Sequence, residues 1–134
     1  MSKNRIASRD VYDTGLQGAQ TPHQDALRIL RLYRYLPRTQ EARISGAQLL
    51  RSSTSIGAND RAACRGRSWA EFIAKLGIVL EEADEAVFWL ELFQEGNIFP
   101  AERLNDLVRE ANELTAVFVS SVRSARGSPL AIRP

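Results

Sequence analysis

The sequence predicts an all-α protein, an antiparallel up-down-up-down four-helix bundle. Three observations carry this expectation. Apolar residues recur at helical spacing in four stretches, the links between them are short and marked by Pro or Gly, and no run alternates long enough to compete as a strand. A chain of 134 residues suits one such domain and is too short for two ordinary ones. Its composition, 44% hydrophobic and 25% charged, is that of a folded globular chain rather than a disordered or collagen-like one.

Residues 1–24 mix Ser, Asn, Asp, Gly, Gln and Thr without a sustained period and read as a flexible arm. It ends at Thr21-Pro22, where proline suits the first turn of a helix. From Asp25 the pattern turns helical: Ala26, Ile29, Leu30, Leu32, Tyr33 and Leu36 supply a stripe, and Pro37 stops it. Arg28, Arg31 and Arg34 occupy the opposite face, so helix one is basic and amphipathic.

The second segment, residues 41–65, has a thin apolar signal. Ser52, Ser53, Thr54, Ser55, Gly57 and Ala58 crowd its middle, which weakens helix propensity and predicts a kink near Ser55-Ile56-Gly57. Arg65-Gly66-Arg67 is the break. The third helix has the clearest start. In Ser68-Trp69-Ala70-Glu71 the Ser hydroxyl accepts from the N–H of residue 71 while Glu71 reaches back to that of Ser68, a capping box. Of the 25 residues from Trp69 to Phe93, 17 are apolar, and Gly96-Asn97 ends the run. Pro100 opens helix four, whose stripe is Leu104, Leu107, Val108, Ala111, Leu114, Val117, Phe118, Ser121 and Val122. The bundle is expected over residues 25–125, with a flexible tail over 126–134.

On a wheel of 100° per residue, helix three divides into two apolar sets. Trp69, Phe72, Leu76, Val79, Leu80, Ala83, Val87 and Leu90 fall in one arc, the expected core. Ile78, Phe88, Trp89 and Leu92 lie in or beside the acidic arc of Glu81, Glu82, Asp84, Glu85 and Glu91. A monomer would leave this second set wet, so these four residues are the expected homo-oligomer interface.

Several function classes drop out. No apolar run approaches the ~18 residues of a membrane span, and no apolar block follows Lys3 and Arg5, so neither a membrane location nor a secretory leader is expected. The expectation is a cytoplasmic protein. One cysteine, Cys64, allows no internal disulfide, and one histidine, His23, allows no Cys/His zinc cluster. A Cys64–His23 catalytic pair would place its base in the flexible arm. The acids of helix three lack the Glu-x-x-His partners that a di-iron bundle needs. Neither a glycine-rich phosphate loop nor a nucleophile elbow is present. The chain is therefore expected to be no enzyme and to use no metal or cofactor.

Charge is segregated. Residues 25–67 are net +6, residues 68–113 net −8 and residues 114–134 net +3, although the whole chain is only +2. Two arrangements fit this pattern: a nucleic-acid footprint, or halves that pack with complementary fields. For the first, Arg28, Arg31, Arg34, Arg38, Arg61, Arg65 and Arg67 would form a basic surface near helix one and the loop before helix three. For the second, the same arginines pair with the acids of helices three and four.

The stretch Leu49-Leu50-Arg51-Ser52-Ser53-Thr54-Ser55-Ile56-Gly57-Ala58-Asn59, followed after eight residues by Ser68-Trp69-Ala70-Glu71-Phe72-Ile73-Ala74-Lys75-Leu76, resembles a bacterial family of small four-helix-bundle proteins. These are encoded within intervening sequences of large-subunit ribosomal RNA genes, and the accessory protein of diversity-generating retroelements is similar. The resemblance implies a bundle that assembles as a ring of five, and nucleic-acid binding through basic surface. It also implies a ring that can engage a partner protein, so a protein-interaction scaffold without nucleic-acid binding is the second functional class. This chain departs from the family after Asn59, having Asp60-Arg61-Ala62-Ala63 where many members have Ile-Ala-Glu-Gly.

Overall fold

Thr21 sets the start of the first helix by a reciprocal cap. Its Oγ1 accepts from the N–H of Gln24 at 3.2 Å, and its own N–H donates to Gln24 Oε1 at 3.0 Å. The structure, a computed structural model, describes residues 21–127. The rest of the expected arm and tail lies outside the described residues. Four helices follow one another: α1 (Pro22–Tyr35), α2 (Gln40–Cys64), α3 (Trp69–Glu95) and α4 (Ala101–Arg126). Among the described residues there is no strand, and the chain is all-α.

The sequence places the start of helix one at Asp25, but Pro22 already stands in the first turn, so His23 is helical and exposed rather than part of an arm. Thr39 caps α2 by accepting from the N–H of Ala42. The expected kink does not interrupt α2, which runs as α-helix through Ser55-Ile56-Gly57. Its hydroxyls bond back along the helix instead: Ser52 Oγ to the carbonyl of Gln48 at 2.8 Å and Thr54 Oγ1 to that of Leu50 at 2.8 Å.

Ser68 caps α3 as its sequence predicts, but Glu71 reaches one residue further back, to the N–H of Arg67 at 2.7 Å. The C-terminal stop of α3 belongs to Asn97, whose φ of 53° is left-handed. The N–H of Ile98 returns to the carbonyl of Phe93 and that of Asn97 to Gln94, which makes a Schellman closure. Gly96 stays right-handed.

All four helices contribute to one apolar core, and consecutive helices pack on each other. Along α3 the buried residues are Phe72, Leu76, Val79, Ala83, Ala86, Leu90 and Phe93, spaced alternately by four and three. In α4 the same rhythm runs Leu104, Leu107, Ala111, Leu114, Phe118, Ser121 and Ala125. In α2 the sevenfold positions Ala42, Leu49, Ile56 and Ala63 are buried. This is a repeat of 3.5 residues, the seam along which helices cross at a shallow angle. A wheel of 100° per residue drifts about 20° per heptad from that seam. It therefore places Trp69, Leu80 and Val87 in the core, where they are only partly buried, and misses Ala86 and Phe93.

Small residues fill the facing seam of α2. Ser45, Gly46, Ser52 and Ser53 are all buried there. A Cβ on Gly46 would stand 2.5 Å from Leu36 Cδ1, so the end of α1 settles against bare backbone. The faint apolar signal of this segment reflects close packing, because the neighbouring helices supply the bulk.

Candidate nucleic-acid interface

The seven arginines singled out by the sequence fall into three places. Arg34 and Arg38 line a cleft at the α1–α2 link, together with Tyr33, Pro37 and Arg43. Arg61, Arg65 and Arg67 lie at the far end of α2, where it turns into α3. With 25 residues rising about 1.5 Å each, α2 separates these groups by roughly 35 Å. Arg28 and Arg31 lie between them along α1. The structure thus brings the arginines to two ends of one helix pair rather than to a single spot.

Pairing sorts them further. Arg28 reaches across to Glu110 of α4 and forms an ion pair there. Among the described residues, no acid lies within ion-pair distance of Arg31, Arg34, Arg38, Arg61, Arg65 or Arg67, and all six are exposed. Internal neutralisation by the acids of helices three and four therefore accounts for Arg28 alone of the seven.

The arginine that does meet helix three is Arg51, which was not among them. It donates to both carboxylate oxygens of Glu82 at 3.2 Å and to Glu85 at 2.5 Å. Its guanidinium holds the Glu85 carboxyl below the usual range, and the two carboxylates push the Arg51 pKa up in return. Glu85 also accepts from Trp89 Nε1 at 3.3 Å. The sequence carried a signal for this network: Arg51 is the only charged residue between Arg43 and Asp60, and it faces the acidic helix.

The four residues expected at a subunit interface behave differently from one another. Phe88 is 55% exposed, and Ile78 and Leu92 are 38% exposed. Trp89 is not wet; its indole is half-buried against the core, with the Phe88 ring set edge-on at 5.0 Å between centroids. Ile44 on α2, absent from the sequence-based set, is 58% exposed.

Two buried carboxyls complete the electrostatic picture. Asp25 is 7% exposed and its Oδ1 has no hydrogen-bond partner. Burial, and then the Glu110 charge, push its pKa up to about 6, against a smaller opposing pull from Arg28. Asp60 Oδ1 is likewise buried without a partner, and burial raises its pKa to about 6. Among the described residues there is no cluster of three or more His, Cys, Asp or Glu able to hold a metal. No helix among them is long and apolar enough to cross a membrane.

A family model described as "23S rRNA-intervening sequence protein" matches residues 15–120. A solved structure from Bacteroides thetaiotaomicron, of a protein of unknown function from the S23 ribosomal protein family, is similar at 34% identity and a TM-score of 0.69. The match covers 87% of this chain and 97% of that one. No curated protein matches.

Proposed function

The chain belongs to the 23S rRNA-intervening sequence protein family, and on that premise we propose a non-enzymatic, cytoplasmic, homo-oligomeric protein that binds nucleic acid through its exposed arginines. The observation that carries the reading is the set of six exposed arginines without acidic partners among the described residues. A guanidinium fork left open in this way suits a phosphate oxygen pair. Each such contact displaces condensed counterions, so affinity is steeply salt-dependent.

The chain is read as an antiparallel bundle. In support, the Pro22 end of α1 lies by Gly57 while its Leu36 end lies by Gly46, so α1 and α2 run in opposite order. Assembly into a ring of five rests on the resemblance to the family and on the exposed apolar residues of α3. A ring repeats each arginine group around its axis, and simultaneous engagement raises weak phosphate contacts to useful avidity.

The test is binding of a mixed RNA at low salt, with the salt slope measured for the parent and for Arg65→Glu/Arg67→Glu. Binding that weakens steeply with salt, with a slope reduced by about one for each lost phosphate contact, supports the reading. Absence of RNA and DNA binding at low salt by an assembled oligomer overturns it and leaves the protein-interaction scaffold, for which the exposed apolar face of α3 speaks.

A further inference from the structure

A groove of about 300 Å³ runs between α1 and α2, lined by Ala26, Leu27 and Leu30 of α1 and by Thr54, Ala58 and Arg61 of α2. We infer that this groove is the seat for the Phe88 face of α3 from a second copy of the chain, so that subunits join head to tail. The inference deepens the homo-oligomer proposed above and rests on it, by assigning the two surfaces that meet.

The α3 face cannot pair with itself. Glu81, Asp84, Glu91 and Glu95 are exposed around Phe88 and Leu92, with no basic partner among the described residues. A two-fold contact sets each residue against its own symmetry mate's surroundings, and here that would press acid on acid. The occupant of this face must offer apolar area with a positive border.

The α1–α2 groove offers both. Its lining is mostly small or apolar, and Leu27 there is 38% exposed. Its border is basic: Arg61 lines it, and Arg31 and Arg34 continue the same face one turn beyond Leu27 and Leu30. Arg31, Arg34 and Arg61 have no acidic partner of their own among the described residues. Ala26 and Ala58 present only methyl groups to the groove, and its volume accepts a phenyl ring with a neighbouring leucine. The exposed aromatic ring is thus matched to a hole, and the unpaired acids to unpaired bases. A contact between two different patches closes into a ring when its rotation divides the circle. It leaves Arg38, Arg65 and Arg67, at the helix links, as the arginines facing outward to phosphate.

A head-to-tail contact has a signature that a self-pairing contact lacks. Ala58→Trp fills the groove and leaves the Phe88 face intact; Phe88→Asp spoils the face and leaves the groove intact. Both positions are exposed, so both variants should keep parental helicity, which circular dichroism checks. Each variant alone should have the mass of one chain by light scattering. Mixed in equal amounts they should form a species of two chains, one of each, through the single intact contact. If Ala58→Trp retains the parental oligomer, or if the mixture stays monomeric, the groove is not the seat, although the oligomer stands. If the parent itself is monomeric at every accessible concentration, the oligomer fails and this inference falls with it.

Discussion

Leu36 rests directly over Gly46: its Cδ1 lies 2.5 Å from the point where a Cβ on that glycine would stand, with the Tyr33 ring 3.3 Å from the same point. The link between α1 and α2 is therefore closed by a leucine on bare backbone. A mid-helix glycine ordinarily costs about 1 kcal/mol against alanine, so this one persists because of what sits on it. In Gly46→Ala the propensity gain offsets the rotation forced on Leu36, and stability should move by less than about 1 kcal/mol. Gly46→Leu cannot be absorbed in this way and should cost ~1–3 kcal/mol, as overpacking does. Urea titration of the two variants separates them; equal stability would show that the end of α1 is loosely held.

Asp25 gives the fold an inverted pH response. Its folded pKa of about 6 lies above the ordinary aspartate value of 3.8, so between those values the folded chain holds a proton that the unfolded chain has released. Stability from this group is full below about pH 4 and falls as pH rises to about 6, by roughly 3 kcal/mol in total. Asp60 acts in the same direction. Asp25→Asn keeps the shape without the charge and should melt higher than the parent at pH 7.5, with the gap closing by pH 4. A gap that is constant across this range would mean that Asp25 is not titrating in the fold.

Ser53 supplies a stability test inside the small-residue seam. Its Oγ is buried and has no hydrogen-bond partner, whereas Ser52 Oγ bonds the carbonyl of Gln48. An unpaired buried hydroxyl costs on the order of 1–3 kcal/mol. Ser53→Ala should therefore stabilise the chain by about 1 kcal/mol or more, and Ser52→Ala should be neutral or slightly destabilising. Thermal or urea melts decide it, and a loss of stability in Ser53→Ala would mean that the hydroxyl finds a partner in solution.

The sequence made the four helices legible because their apolar stripes are long, and because Thr21, Ser68 and Pro37 mark their ends with chemistry that acts locally. It was poorest where neighbours decide. The seam of α2 is serine and glycine, whose burial no apolar stripe announces; at Gly46 it is Leu36 and Tyr33, at the end of α1, that cover the position. Phe93 and Ala86 were missed because the bundle follows a 3.5-residue seam and the wheel a 3.6-residue one. Of the candidate site, the arginines were visible as a charge run, but which of them keep an open guanidinium was not. Arg28 and Arg34 stand six residues apart on one helix and point to different sides of it, and only Arg28 meets an acid, Glu110 of α4.

Phe88 and Trp89 are neighbours in sequence and should separate in experiment. Phe88 is mostly in water, whereas Trp89 packs its indole on the core and donates to Glu85 beneath the Arg51 bridge. Phe88→Glu should therefore dissociate the oligomer while leaving helicity and the unfolding transition of the dilute chain nearly unchanged. Trp89→Ala should also loosen the oligomer, but it removes a half-buried aromatic and should lower stability by ~1–3 kcal/mol as well. Light scattering reads the first effect and urea melts at low protein concentration read the second. If Phe88→Glu holds the parental mass at low concentration, this face of α3 is not where the subunits meet.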